Sequence, residues 1–195
     1  MINPTTIVTL PMWPPTGVQS DMSIDPRYPL GPFSPTLETT DVIEAAIRDI
    51  ESLPAAMRAA VNGLTDEHLE RSYRPEGWTI RQVVHHVADS HMNGLIRTKL
   101  ALTENNPTIK PYDETAWAQL ADARLPIDTS LSIIDGVHRR WVHVLRSLAP
   151  EQLGRTFVHP EHGQTMRIGY QVQDYAWHGR HHVAHITTLR QREGW

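Results

Sequence analysis

The sequence predicts an all-α protein, a four-helix bundle preceded by an extended, proline-rich arm. Three observations predict it: four long segments repeat apolar residues at helical spacing, no segment alternates as a strand would, and prolines crowd the N-terminus. The 195 residues are 39% hydrophobic and 21% charged, as expected of one ordinary globular domain large enough to bury a core. The domain is expected over residues 28–195, with residues 1–27 forming the arm.

Residues 1–26 hold five prolines and neither lysine nor arginine. The arm lacks the basic start and apolar core of a secretory signal, so it reads as a loosely attached or disordered lead-in. Helical spacing begins at Thr39 or Thr40 and runs through Val42, Ile43, Ala46, Ile47, Ile50 and Leu53. Pro54 is expected to end or kink this helix, with Met57, Val61 and Leu64 continuing the stripe. Thr65 caps a short turn to Leu69. Thr79 is a plausible cap for a second long helix ending near Thr103, before Asn105-Asn-Pro107.

Residues 107–126 form a long connection with a short helix around 115–120, a length that often carries function. Asp128, Thr129 or Ser130 can cap a third helix reaching about Leu148, with Leu131, Ile134, Trp141, Leu145 and Leu148 on its apolar face and His138 among them. Residues 154–166 read as a loop or short hairpin. The last helix runs from about Arg167 to Arg192, with Ile168, Val172, Tyr175, Ile186 and Leu189 facing inward.

The net charge of −4 and a pI near 6.3 argue against nucleic acid as a partner. No segment has the run of apolar residues that a bilayer requires. With no signal sequence the chain reads as cytoplasmic. The absence of cysteine excludes disulfides, thiolate metal ligands and a cysteine nucleophile together. Any metal must rest on His, Asp or Glu.

Twelve histidines are present, and seven fall in two short segments, 85–91 and 178–185. Two residues four apart on a helix stack on one face, so two imidazoles can meet one cation. The last helix offers two such pairs, His178 with His182 and His181 with His185, and spacing does not choose between them. No Glu follows the first His, so the zinc-peptidase pattern is absent. In the second helix one face carries Gln82, His86, Asp89, Ser90, Asn93 and Arg97, a polar stripe suited to a cavity lining. Two histidines from one helix and one from another would leave coordination positions open, as in catalytic sites. Imidazole suits Zn, Ni, Cu or Fe. His68, His143, His159 and His162 read as surface or satisfied core residues.

Three stretches resemble one known family. They are Gly77-Trp-Thr-Ile-Arg-Gln-Val-Val-His85-His86-Val-Ala-Asp89-Ser90-His91-Met-Asn93, Pro107-Thr-Ile-Lys-Pro-Tyr112-Asp113-Glu-Thr-Ala-Trp117, and Tyr175-Ala-Trp177-His178-Gly-Arg-His181-His182-Val-Ala-His185-Ile186. In order and content they are similar to the DinB/YfiT-like metal-dependent enzymes, closest to the YfiT branch, over about residues 28–195. The resemblance implies a four-helix bundle, usually a homodimer, with a divalent metal (zinc or nickel) on three histidines. It implies His86, rather than His85, with the pair His181 and His185. Gln82, Asp89, Asn93 and His182 are then candidates for the surrounding pocket, and Arg180 could influence which anion is accepted.

The family resemblance further implies activation of water, or of a low-molecular-weight thiol cosubstrate, against a small electrophilic substrate: a hydrolase or a thiol S-transferase. The alternative is a non-catalytic metal-binding stress-response protein. A DNA-binding role fits poorly with the negative charge.

Overall fold

A computed structural model describes residues 25–161 and 163–195. The expected arm before residue 25 and the residue His162 lie outside the described residues. Four long helices dominate: α1 (Thr40–Val61), α3 (Ile80–Thr103), α5 (Asp128–Arg146) and α6 (Ile168–Glu193). Two short helices, α2 (Asp66–Leu69) and α4 (Glu114–Trp117), lie in the connections, with 3-10 turns at Ala121–Arg124 and Pro150–Gly154. The segment before α6 forms an antiparallel hairpin of β1 (Thr156–His159) and β2 (Gln164–Arg167). Among the described residues no helix is long and apolar enough to cross a membrane.

Local chemistry sets the helix starts. The Thr39 side chain accepts from the Val42 amide at 3.4 Å. Thr79 and Gln82 form a reciprocal cap: the Gln82 amide donates to the Thr79 hydroxyl, and the Thr79 amide donates to Gln82 Oε1. Helix α5 begins after Ile127 with no side-chain cap. The expected cap Ser130 is instead held at 2.7 Å from His85 Nδ1. At its other end α6 stops on Gly194, whose φ of 77° is the left-handed conformation that glycine adopts at low cost.

Pro54 neither ends nor splits α1, which runs through it to Val61. A proline in a helix removes the bond to the carbonyl four residues earlier, here that of Ile50. His138 of α5 supplies the missing donor, its Nδ1 meeting the Ile50 carbonyl oxygen. The proline is therefore tolerated because a neighbouring helix satisfies the acceptor it orphans.

Around the bundle α1 neighbours α6, α6 neighbours α3, α3 neighbours α5, and α5 closes back on α1. The core divides along the helix axes into two apolar clusters. One gathers Ile43, Ile47, Ile50, Trp141, Leu145, Phe157 and Val172; the other gathers Met57, Ile80, Val83, Val87, Ile134, Ile186 and Leu189. In sequence, the residues of α3, α5 and α6 that fall between the clusters include His91, His138, His178 and His182. The histidines thus form a layer across the middle of the bundle. At its edge Trp141 donates to the Thr98 hydroxyl at 3.0 Å, and Gln171 Nε2 donates to the Gly94 carbonyl at 3.0 Å. Gly94 allows this crowding, since a Cβ there would meet the Tyr175 ring at 2.8 Å.

The lead-in from residue 25 lies along α6. The backbone of Thr36 makes two bonds with the Gln173 side chain, at 3.0 and 3.2 Å. Phe33 packs edge-on against Tyr170. The connection after α3 runs beside β1, exchanging backbone bonds between Pro107, Ile109 and Val158.

His138→Leu should destabilise the protein by about 1–3 kcal/mol, because it strands the Ile50 carbonyl in the core. Adding Pro54→Ala restores a helical donor to that carbonyl, so the double variant should recover part of the loss. Urea denaturation of both single variants and the double variant measures this coupling.

Candidate metal centre

His86 projects from α3 toward two residues of α6, His178 and His182. One ring nitrogen from each of these three lies within 4.8 Å of the others, the one such grouping of histidine or acidic side chains among the described residues. His86 Nε2 faces His178 Nε2 at 3.2 Å. His182 stands edge-on to both, with ring centroids 4.8 Å from His86 and 4.5 Å from His178. His178 and His182 meet because they are one helical turn apart.

The remaining ring nitrogens of the two α6 histidines have their own partners. His178 Nδ1 is 3.0 Å from His91 Nε2. His182 Nδ1 is 3.3 Å from His185 Nδ1, and His185 Nε2 meets the Arg27 carbonyl at 3.2 Å. That carbonyl can only accept, so His185 carries its proton on Nε2 and receives one from His182 Nδ1. His182 is then protonated on Nδ1, leaving the Nε2 lone pair free. His178 Nδ1 and His91 Nε2 share one proton, with no carbonyl at His91 to fix its side, and with that proton on His178 its Nε2 is open. Such outer partners fix the tautomer and ring angle of a metal-binding imidazole.

Burial holds these rings neutral. It pushes His86 down to about 4, aided by the charge of His185. Burial first, then neighbouring imidazoles, lowers His178, His182 and His91 well below the ordinary histidine value. Neutral imidazole is the form that binds a cation.

The pair His181 and His185, expected to join His86, is not brought into that grouping. His181 stacks on Trp177 at 4.4 Å between ring centroids, and Tyr28 lies beside it. His185 stacks on Tyr73 at 4.0 Å and acts as the partner of His182. The physical reason is angular: positions 181 and 185 are rotated about the helix axis from 178 and 182, toward the lead-in and the loop before α3. His182, expected in the pocket, stands in the grouping itself. His85 is bound to Ser130 Oγ and the Leu125 carbonyl, tying α3 to the start of α5.

Among the other pocket candidates, Gln82 serves as a cap and donates to the Ala118 carbonyl. Asn93 bonds back to the Asp89 carbonyl at 2.9 Å. Asp89 lines a small cavity with His86 and Asp122; burial, and then the Asp122 charge, push its carboxyl up to about 6. Arg180 is exposed and pairs with Asp49 at 3.4 Å, so it does not face the three histidines. A larger cavity of about 420 Å³ opens beside His178, lined in part by Ser90, Arg97, Tyr112 and Tyr175. His91 and Tyr175 received no site role from spacing, while His178 belonged to one of the two pairs that spacing left open. The only advance signal was that 178 and 182 share a face.

Comparison with known proteins gives one consistent answer. The description of the DinB superfamily matches residues 49–186. A protein of Bacillus mycoides (strain KBAB4), provisionally named a metal-dependent hydrolase, is 52% identical over 172 residues, covering 88% of this chain and 99% of its own. A similarly named protein of Oceanobacillus iheyensis is 52% identical over 170 residues, 87% of this chain and 98% of its own. Among solved structures, YfiT from Bacillus subtilis, described as "a probable metal-dependent hydrolase with an unusual four-helix bundle topology", matches with a TM-score of 0.84 and 42% identity. That match covers 87% of this chain and 98% of YfiT.

The depressed histidines make metal-free stability depend on pH. Between the unfolded value of about 6.5 and a folded value near 4, the unfolded chain binds protons that the native chain refuses. Stability should therefore be fully present above pH 6.5 and fall as pH drops toward 4. Each such histidine contributes about 1.4 kcal/mol per pH unit over that window. Urea melts of the metal-free protein at pH 7, 6 and 5 test this; a flat profile contradicts it.

Proposed function

We propose that this chain, which belongs to the DinB superfamily, is a metal-dependent hydrolase whose divalent cation rests on His86, His178 and His182. The observation that carries the reading is the convergence of three neutral ring nitrogens within 4.8 Å of one another, from buried His86 and His182 and half-buried His178. The donor set fits a cation: the imidazoles carry no charge of their own, and two have their far nitrogens committed to other partners. No fourth histidine or carboxylate joins the grouping among the described residues, which favours an open catalytic site over a closed structural or purely binding one. Zinc or nickel is the expected ion, given all-nitrogen ligands.

When bound, such a cation supplies Lewis acidity, polarising a carbonyl or lowering the pKa of water near neutral pH. The chain's own residues do the rest. His185 holds the proton on Nδ1 of His182, and His91 fixes the His178 ring through its Nδ1, so both rings turn their Nε2 atoms inward. Trp78, 4.5 Å from the His86 ring between centroids, packs against its face. The cavity beside His178 admits a small molecule to the same place.

A thiol cosubstrate in place of water remains the second reading. It is favoured by one observation, that the chain has no cysteine and any thiol must come from outside. In either form we propose a cytoplasmic homodimer acting on a small molecule, with neither nucleic acid nor membrane as partner.

His86→Ala, His178→Ala and His182→Ala should each abolish stoichiometric metal uptake, whereas His181→Ala should retain it; elemental analysis of the purified variants decides. Full metal in His178→Ala with loss in His181→Ala would reinstate the other pair. His91→Gln should weaken metal affinity by about 10–100-fold without unfolding the bundle, as expected for a partner of a ligand. Competition with a chromogenic chelator measures that. An ester and amide panel run with and without an added thiol on the metal-loaded protein separates hydrolysis from conjugation, and inactivity in both arms would sink the enzymatic reading.

A further inference from the structure

The cavity beside His178 contains a half-buried cation that makes no salt bridge among the described residues. Arg97 is the only arginine or lysine among its described lining residues. Its Nη1 donates to the Tyr175 hydroxyl at 3.4 Å, and its Nε is buried without an acceptor. Among the described residues no carboxylate lies within ion-pair distance of it, Asp174 in the same wall included. The other inward-facing arginine of α3 is the opposite case, since Arg81 holds Glu70 at 2.6 Å and Asp66 at 2.9 Å. A guanidinium presents five donors in a planar fork matched to a carboxylate, and leaving the fork unpaired inside a protein is costly. Among the described residues the Arg97 fork therefore has no direct carboxylate partner, and Glu114 acts on it only at longer range.

The surroundings narrow what that is. Tyr175 lies between Arg97 and the metal centre, its ring 5.7 Å from that of His178 between centroids. A cavity of about 420 Å³ suits a small molecule. Three lining carboxylates, Glu114 and Glu161 at the exposed rim and half-buried Asp174, outnumber Arg97 and repel a ligand carrying several negative charges.

We propose that this cavity is a substrate subsite for a small monocarboxylate, gripped through its carboxylate by Arg97 with its reacting end toward His178. The term substrate rests on the metal-dependent reading above; the Arg97 contact does not.

The test uses the full chain prepared with added zinc and observed through its ¹⁵N-labelled arginine side chains. The probes are N-acetylglycine, its uncharged amide N-acetylglycinamide, and methyl phosphate. N-acetylglycine should shift one Nε–H signal, identified as Arg97 by its absence from the R97K spectrum, and the amide should leave it in place. R97Q should bind N-acetylglycine at least about tenfold more weakly, the loss expected for a charge-assisted pair, with zinc content unchanged. If R97Q fails to fold, R97K, which keeps the charge and loses the fork, should still lose most of the preference for acid over amide. Equal binding of acid and amide, undiminished binding in both variants, or tighter binding of methyl phosphate each overturns the proposal. Carboxylate binding at Arg97 in a chain that takes up no zinc overturns the metal-centre reading instead and leaves this subsite standing.

Discussion

Desolvation of imidazole is the interaction on which the rest of this structure depends. The bundle interrupts its apolar core with a layer of histidines contributed by α3, α5 and α6, placed between two clusters that are each well packed. Water is thereby kept from rings that would otherwise titrate near neutrality, and the rings stay uncharged. Neutral rings can accept one another's protons, pair with backbone carbonyls and keep lone pairs free. A charged layer could do none of these and would push the helices apart. The same layer repairs the helix that faces it, because His138 satisfies the carbonyl that Pro54 orphans.

The partners of the central histidines come from α3, α6 and the lead-in. His91 is on α3, five residues beyond His86, while His185 is on α6 and is itself fixed by a backbone carbonyl of the lead-in. The two pairs of the last helix thus divide the labour. His178 and His182 point into the bundle, and His185 stands behind His182 and sets its proton. A helix with histidines at 178, 181, 182 and 185 supplies both two of the three converging ring nitrogens and part of their support within two turns.

Much of the fold was legible in the sequence because its signals are local. Thr39 and Thr79 stand directly before apolar stripes, and the stripes fall on buried faces in all four long helices. Pro54 was misleading because its rescue comes from α5, 84 positions along the chain, and no local rule sees that far. Ser130 was a reasonable cap until the tertiary fold set it against His85. The site was half legible. Clustering identified the segments and the polar stripe of α3. Choosing between two pairs at identical spacing depends on the rotation of α6 about its axis, which is set by Tyr73, Trp177 and the lead-in packing around it. Periodicity fixes which residues share a face, not which face turns inward. Arg97 was visible as part of the stripe, but its lack of a counter-charge appears only in three dimensions.

His86 and His178 face each other across 92 positions of sequence, from helices that are adjacent in space but not in chain order. In a chain without cysteine, an ion shared by these rings is the nearest equivalent of a covalent staple, closing a loop that contains the whole of α5 and the hairpin. Forming so long a loop carries an entropic cost that the folding chain meets before any ion can bind. The ion then rewards only the closed bundle. By mass action it adds about 2.7 kcal/mol when present at a hundredfold excess over its dissociation constant. Metal supply in the cell would therefore govern how long the folded protein persists, as well as whether its site is filled.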